Sequence, residues 1–205
     1  MKILESIEEV DIIGCITKEL PATAWWSTDP HEYCKGKYNQ LELSDLDNLN
    51  FDFGVSINYW KLIPGNIIKK PVLGFVNLHH SYNLSYRGRD MNTYAIRDAR
   101  NLNRWFHGTC LHYTDDGLDT GPIINSRACS INDFDTAWSL FNKVESLGRD
   151  ILQEWLPRLV VAKAPISFPE DGHPMSNRKD IGKEIKLAQK DKIEIYDFVR
   201  SLDFN

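Results

Sequence analysis

The chain contains 205 residues, of which 42% are hydrophobic and 26% charged, and it carries a formal net charge of −5 at pH 7. That length and mixture suit one globular α/β domain with a buried core. The acidic balance gives no broad basic surface for nucleic acid, no apolar stretch approaches the about 20 residues that span a bilayer, and the N-terminus lacks a signal-peptide pattern. We therefore expect a cytoplasmic protein that binds neither nucleic acid nor a membrane.

The N-terminal half predicts three strands separated by irregular segments. Apolar and β-branched residues cluster at 10–17, 51–57 and 72–76. The stretch at 2–9 is typical of a helix end, and a short helix is expected over 65–70. Between the first two strands, residues 18–50 carry prolines and an acidic segment, which together indicate loop and short helix.

The C-terminal half alternates helix and strand. We expect a helix over 90–100, strands over 106–113 and 122–131, one long amphipathic helix over 137–155, and a last short helix over 193–202. The long helix is inferred from apolar residues that recur at steps of three and four. Residues 157–182 are rich in proline and polar groups and predict an extended tail. This order of elements favours an α/β fold.

The spacing of cysteine and histidine argues against a disulfide or a metal site. The four cysteines show no Cys-x-x-Cys spacing, so free thiols are expected. His107 and His112 are an odd number of positions apart and point to opposite faces of a strand, and the adjacent His79 and His80 also diverge. No converging set of ligands emerges, so no metal is predicted.

Two short stretches together indicate an active site. Asn77 and His79 stand two positions apart where the strand at 72–76 ends, so in extended backbone their side chains leave on one face. A polar and aromatic loop follows, of the kind that binds ligands. Farther along, His112 precedes Asp119, which lies in a Gly-Leu-Asp-Thr-Gly loop. Singly, such residues are often turn formers, structural histidines or loop caps.

The order of these residues resembles the folate-dependent formyltransferases, and most of all the sugar N-formyltransferases. The matching positions, spread over about 10–155, are Asn77, His79, Ser81, 86–88, 107–112 and 119–122. The resemblance implies a Rossmann-like three-layer catalytic domain over 1–156 with a mostly parallel central sheet, followed by an extended tail and short helix over 157–205. Relatives open with a strand and a glycine-rich turn for which this chain has no counterpart, and whether Met1 is the native start stays open.

The resemblance also implies N10-formyltetrahydrofolate as the formyl donor and a primary amine as the acceptor. Attack by the amine creates a tetrahedral intermediate with a negative oxygen, which needs a hydrogen-bond donor, and the amine must lose a proton. In this chain Asn77 would donate to the oxyanion, His79 would take the proton or stabilise the oxyanion, and Asp119 would orient the imidazole. His107 and His112 are interpreted as packing residues or supporting partners.

Two further groups of residues are expected to contact ligands. The candidates for the folate are Tyr59, Trp60, Leu62, Asp115, Gly117 and Leu118. The candidates for the acceptor are Ser81, Tyr82 and Arg87. For the aromatic and apolar residues at 59–62, the alternative that they are core residues capping a helix stays open.

The predicted acceptor is a nucleotide-linked amino sugar. The loop after His79 carries Tyr82 and Asn83, types that suit a sugar or a base, and the chain is acidic and lacks a glycine-rich phosphate turn. Such enzymes make formamido sugars for bacterial surface polysaccharides such as lipopolysaccharide, including pseudaminic-acid-type precursors. A formyltetrahydrofolate hydrolase and a catalytically silent folate or sugar-nucleotide binding module are the alternatives, and a homodimer is compatible with the sequence.

Overall fold

The computed structural model describes residues 1–19, 29–59, 61–167 and 190–203. Within them lie the strands β1 (Gly54–Ile57), β2 (Phe75–His79), β3 (Phe106–Tyr113) and β4 (Ile123–Ser130). The α-helices are α1 (Lys2–Glu5), α2 (Pro30–Cys34), α3 (Gly65–Ile68), α4 (Met91–Asn101), α5 (Ala137–Leu159) and α6 (Lys192–Leu202), and two 3-10 helices span Leu43–Asp47 and Tyr82–Leu84. The predicted order of elements from residue 51 onward is confirmed.

The described strands form one sheet in the order β1-β2-β3-β4. β1 and β2 pair in parallel, whereas β2 with β3 and β3 with β4 pair antiparallel. The α/β class is confirmed, but the described sheet is mixed rather than mostly parallel. Part of the reason is the loop at 114–122, which is shorter than the roughly dozen residues that a parallel crossover needs, so β4 must return antiparallel to β3.

The strand predicted over 10–17 is wrong. Only Cys15 forms a bridge there, parallel to Gln40. Its N–H donates to the Asn39 carbonyl and its own carbonyl accepts from the Leu41 N–H, both at 2.9 Å. A strand needs a partner along its length, and here the partner segment leads after one contact into the 3-10 helix Leu43–Asp47. β-branched composition alone therefore predicts the wrong element.

β2 begins later than predicted, because a turn precedes it. The Gly74 N–H donates to the Pro71 carbonyl at 3.0 Å, and Gly74 has a φ of +98°, which favours glycine. Val72 is 67% exposed in this turn. Asn77 and His79 therefore lie within β2 rather than beyond its end. They still share one face, as alternate residues of a strand do.

The long helix α5 covers one face of the sheet and leaves the other face to the polar residues. It begins with a capping box, in which Thr136 and Ser139 each accept the other's N–H. Its buried side packs on β2 and β3 in the main core, where Leu78 and Leu111 are buried. A Cβ at Gly148 would lie 2.9 Å from Leu78 Cδ2, so glycine permits this close approach of helix and sheet.

α5 also runs farther than predicted. It continues through Pro157 to Leu159, because Leu156 and Leu159 are buried in the core and hold the last turn despite the proline. The predicted tail therefore begins after Leu159, and Ser167 pairs antiparallel with Ile123 at the start of β4. The rest of that tail, and residues 20–28 of the predicted loop, lie outside the described residues.

α6 packs on α4 through buried charges. Arg200 is only 3% exposed, and its Nε donates to Asp197 Oδ1 at 2.8 Å. Its Nη1 donates to the carbonyls of Asn132 at 3.2 Å and Asp135 at 2.9 Å. Arg100 of α4 donates to Asp197 Oδ2 at 2.9 Å. The C-terminal helix is thus fixed to the domain by a hydrogen-bonded ion-pair network.

Two expectations from the sequence concern the state of the cysteines and the crossing of a membrane. The cysteines at 15, 34, 110 and 129 are free thiols, and those at 34 and 110 are buried. Buried free cysteine usually acts as a small hydrophobic residue. Across the described ranges, every helix is too short or too polar to cross a membrane.

Candidate active site

Four polar side chains meet on the face of the sheet that α5 leaves open. In β2, Asn77 and His79 alternate with the buried Leu78, and the antiparallel register sets His112 of β3 directly opposite Asn77. The rings of His79 and His112 lie edge to face, with centroids 6.4 Å apart. Asp119 approaches both rings from the loop between β3 and β4. The catalytic residues predicted from the sequence are therefore brought together.

His79 is held by the backbone of the loop that follows it. Its Nε2 lies 2.8 Å from the carbonyl oxygen of Tyr86. A carbonyl only accepts, so Nε2 carries the hydrogen of the neutral ring. The lone pair of Nδ1 then faces Asp119 Oδ1 at 3.6 Å, which is longer than a direct hydrogen bond. A proton bound at Nδ1 would be stabilised by the nearby carboxylate of Asp119, so Nδ1 is the basic atom of the site.

His112 fixes the amide of Asn77. Nδ1 of His112 lies 2.8 Å from the Tyr113 carbonyl and so carries the ring hydrogen, which leaves Nε2 to accept from Asn77 Nδ2 at 3.2 Å. An amide nitrogen has two hydrogens, and this bond uses one. The second is free to donate to a negative oxygen. Of the two interpretations of His112, the contact favours the supporting partner.

The Asp119 side chain is only 9% exposed and is preorganised. Its backbone takes the left-handed conformation, with a φ of +51°. Its Oδ2 accepts the Gly88 N–H at 2.9 Å, which leaves Oδ1 between Nδ1 of His79 and Nε2 of His112, the latter 3.9 Å away. Aspartate tolerates this backbone conformation better than most residues. The carboxylate is therefore aimed at both rings before any ligand binds.

The loop that carries Asp119 takes its shape from an internal hydrogen-bond pattern. Asp115 Oδ1 accepts from the Gly117 N–H at 3.0 Å and from Thr120 Oγ1 at 2.7 Å. A Cβ at Gly121 would lie 1.8 Å from the Tyr113 carbonyl oxygen, so only glycine fits where the loop crosses the end of β3. The Asp115 side chain is thus part of the loop's framework, whatever else it contacts.

Burial keeps both site imidazoles neutral at neutral pH. It lowers the pKa of His112 to about 4. Burial also lowers the pKa of His79, and the Asp119 carboxylate offsets this only in part. A neutral ring has one nitrogen free to accept a proton, as the hydrogen bonds described above require. The site therefore presents two neutral imidazoles beside the amide of Asn77 and the side chain of Asp119.

His107 of β3 and His80, which follows β2, point elsewhere, as the strand alternation predicts. His107 packs its ring on Tyr86, with centroids 5.7 Å apart. His80 turns toward α5, where its Nε2 lies 3.1 Å from Glu145 Oε1. In the part of the chain that the structure describes, no group of three histidine, cysteine or acidic side chains is placed to hold a metal.

Comparison with known proteins identifies the family. The family model described as formyl transferase matches residues 26–156. The chain belongs to the formyl transferase family. Among curated members, the methionyl-tRNA formyltransferase of Listeria monocytogenes is 29% identical over 143 residues, which cover 70% of this chain and 44% of that protein. The one of Thermodesulfovibrio yellowstonii is 32% identical over 117 residues, or 57% and 37% of the two chains. The chain thus spans less than half the length of these formyl transferases.

Solved structures of formyl transferases share the fold. A sugar N-formyltransferase from a Shewanella species matches with a TM-score of 0.73 at 18% identity, over 85% of this chain and 71% of that one. The Helicobacter canadensis N-formyltransferase, solved with folinic acid and dTDP-3-aminofucose, gives 0.73 at 22%, over 86% and 64%. The formyltransferase PseJ from Anoxybacillus kamchatkensis, solved with UDP-4,6-dideoxy-4-formamido-L-AltNAc and tetrahydrofolate, gives 0.59 at 26%, over 69% and 72%. The α/β formyltransferase fold is confirmed.

The residues predicted to contact the acceptor differ in their surroundings. Ser81 is buried, and its Oγ accepts the Tyr86 N–H at 2.7 Å, so this hydroxyl shapes the loop. Tyr82 packs edge-on against the ring of Phe106, with centroids 5.8 Å apart. Arg87 is half-buried next to the Tyr86 carbonyl that holds His79. Of the three, Ser81 is buried, whereas Tyr82 and Arg87 are half-buried.

The residues predicted to contact the folate lie in two loops. Tyr59 is half-buried, and burial raises its pKa. Leu62 is 71% exposed, which does not fit the alternative that it is a core residue. Leu118 is half-buried beside Asp119, and Trp60 lies outside the described residues. The described members of the set are thus accessible or partly accessible.

A groove of about 490 Å³ adjoins this region, between α3, the start of β2 and the β3–β4 loop. Phe75, Thr114 and Asp115 line it, together with Lys69 and Lys163. Of the predicted folate residues, Asp115 is in this lining. The groove has the volume of a small-molecule site and combines an apolar floor with a few polar groups.

Sequence reasoning misses two contacts of the site because both use the main chain. The Tyr86 carbonyl holds His79, and the Gly88 N–H holds Asp119. The Tyr-Arg-Gly at 86–88 is part of the resemblance and is the available signal. A pattern of residue types names side chains, however, and here the backbone makes the bonds, so only Arg87 is assigned from the sequence.

Proposed function

We propose that this protein is an N-formyltransferase that moves the formyl group of N10-formyltetrahydrofolate to the primary amine of a nucleotide-linked amino sugar. One observation carries the chemistry: Asn77, His79 and Asp119 converge on one face of the sheet, with His112 fixing the amide and the backbone fixing the imidazole. Membership of the formyl transferase family supports the same reaction.

The site residues account for each step that the transfer needs. The bound donor would supply an activated formyl carbon, and attack by the amine places negative charge on its oxygen. The free amide hydrogen of Asn77 would donate to that oxygen. Nδ1 of His79 would take the proton from the amine, and Asp119 would stabilise the imidazolium that forms. The same proton is then positioned for the nitrogen that leaves.

The donor would bind between the two loops that carry the predicted folate residues. Tyr59 and Leu62 supply apolar and aromatic surface, and Asp115, Gly117 and Leu118 supply backbone groups beside Asp119. The groove lined by Phe75 and Asp115 supports this placement through Asp115, although none of the three proposed catalytic residues is in its lining. We place Trp60 in the same set on the resemblance alone.

Two observations support an amino sugar as the acceptor. Solved relatives include PseJ, 26% identical and solved with a UDP-linked formamido sugar, and the Helicobacter canadensis enzyme, solved with dTDP-3-aminofucose. The net charge of −5 also disfavours a polyanion such as tRNA. A methionyl-tRNA acceptor is the second candidate, because the curated relatives named above are methionyl-tRNA formyltransferases.

A panel of acceptors tests the function directly. We expect the absorbance change of formyltetrahydrofolate conversion with one UDP-linked or dTDP-linked amino sugar, and none with methionyl-tRNA or without acceptor. Turnover with methionyl-tRNA alone would show that the acceptor is methionyl-tRNA rather than an amino sugar. Formate release without any amine would identify a hydrolase. Tetrahydrofolate binding without turnover, equal in the wild type and in Asn77→Ala, would identify a silent binding module.

The pH profile tests the base. Because burial lowers the pKa of His79 below its ordinary value of 6.5, the acid limb of kcat/KM should have its midpoint below pH 6.5. Asp119 raises that pKa, so Asp119→Asn should move the midpoint to still lower pH while it lowers the rate. The measurement is kcat/KM across the acid and neutral range for both proteins. A midpoint above 7, or a shift to higher pH in Asp119→Asn, would contradict the assignment.

A further inference from the structure

A second polar cluster lies on the α5 side of the sheet, directly behind the active site. The ring of His80 is buried, 5.3 Å from that of Phe141, and its Nε2 lies 3.1 Å from Glu145 Oε1. Asn58 Nδ2 donates to the same carboxylate oxygen at 3.4 Å. One carboxylate of α5 thus joins the residue after β1 to the residue after β2.

Asn58 lies between the end of β1 and the proposed donor-binding segment. β1 and β2 pair in parallel with Ile57 opposite Leu78, so Asn58 lies beside His79 at the carboxyl ends of both strands. Asn58 has a φ of +52°, the left-handed conformation that turns the chain away from the sheet. The next residue is Tyr59, where the proposed donor-binding segment begins. The direction in which that segment leaves the sheet is therefore set at Asn58.

The Glu145 carboxylate is charged at neutral pH. Burial raises its pKa, but the contacts with His80 and Asn58, together with the charge of Arg149, outweigh burial and hold the pKa below its ordinary value. A partly buried charge loses hydration, which only specific partners make up. None of the contacts made by Asn77, His79, His112 or Asp119 in the active site involves Glu145, so the mechanism above leaves its role open.

We propose that Glu145 is a positioning residue for the formyl-donor site, which fixes the start of the donor-binding segment through Asn58 and the end of β2 through His80. The inference rests on the proposed function, because that segment binds the donor only if the chain is a formyltransferase. The role predicts an effect on donor affinity that exceeds the effect on the chemical step.

Glu154 offers a matched control on the same helix. Its side chain is 36% exposed against 30% for Glu145, and it pairs with Arg127 and Arg158 away from the site. Glu145→Leu should raise the KM for the donor and the Kd for tetrahydrofolate about tenfold, the effect of losing one hydrogen bond to a charged group, with kcat within about threefold. Glu145→Gln keeps an acceptor for Asn58 and should restore most of the affinity. Glu154→Leu should change neither constant.

Hydrogen exchange of the unliganded protein gives a readout that needs no donor. Peptides containing Asn58 and Tyr59 should exchange faster in Glu145→Leu than in the wild type or in Glu154→Leu. If the wild type binds tetrahydrofolate and transfers formyl but Glu145→Leu leaves both the Kd and the exchange unchanged, only the role of Glu145 is overturned. If the wild type neither binds tetrahydrofolate nor transfers formyl, the proposed function itself is overturned.

Discussion

Replacing His79 by asparagine is expected to lower kcat by about 10²- to 10⁴-fold, the usual contribution of a positioned general base. Asparagine has no atom that takes a proton near neutral pH, so the Nδ1 function beside Asp119 is lost. The affinity for tetrahydrofolate should stay close to that of the wild type, because the proposed folate residues are elsewhere. The measurements are kcat with saturating substrates and the Kd for tetrahydrofolate by titration.

His107→Asn is the matched control for that experiment. His107 is also a buried histidine, in the neighbouring strand, and burial lowers its pKa to about 3, but its ring packs on Tyr86. The same substitution there should cost stability and leave kcat within a few fold. A near-normal kcat in His79→Asn would refute the assignment of His79 as the base. An equal loss of kcat in both variants would show that the loss reflects a damaged core.

Arg200→Met is expected to destabilise the protein by about 3 kcal/mol, at the lower end of the range for breaking a buried ion pair. Arg200 pairs with Asp197 and binds the carbonyls of Asn132 and Asp135. Methionine fills similar space but leaves both carbonyls without this donor. The loss stays at the lower end because Arg100 still neutralises Asp197. Chemical denaturation measures the free energy of unfolding of both proteins.

Arg158→Met controls for the removal of an arginine. Arg158 is 61% exposed and pairs with Glu154 along the surface of α5 at 3.4 Å. Exposed pairs of this kind contribute at most about 1 kcal/mol. A similarly small change in Arg200→Met would mean that α6 is not fixed by the buried network. A change confined to α6, with the rest of the chain still folded, would mean that the helix melts separately.

Sequence patterns predict best the elements whose burial and boundaries are determined by their own residues. The strand at Phe106–Tyr113 is predicted with both ends correct, because it is almost wholly buried and bounded by polar turns. The stretch at 10–17 has similar composition but no partner along its length, and pairing is a property of the neighbour rather than of the strand. The mixed sheet escapes prediction for the same reason, since strand direction depends on which strands become neighbours.

The residues of the candidate site also differ in how well the sequence predicts them. Asn77, His79 and Asp119 carry chemistry in their side chains, so their types and their order along the chain are enough to indicate a site. The role of His112 becomes specific only through the register that sets it opposite Asn77. The sequence places Glu145 in a structural helix and no more, because helical periodicity gives the face of a residue but not the strand end that it meets.

The backbone strap at 86–88, which holds His79 through a carbonyl and Asp119 through an N–H, has a consequence for redesign of the proposed enzyme. Main-chain bonds do not depend on which side chains a segment carries. In the proposed transferase, neighbouring side chains such as Tyr82 and Arg87 would therefore be exchangeable to alter acceptor choice without disturbing the proposed base, provided that the strap keeps its path. Insertions or deletions there would uncouple the base from its carboxylate. Libraries for new acceptors should accordingly vary residue identity in this loop at constant length.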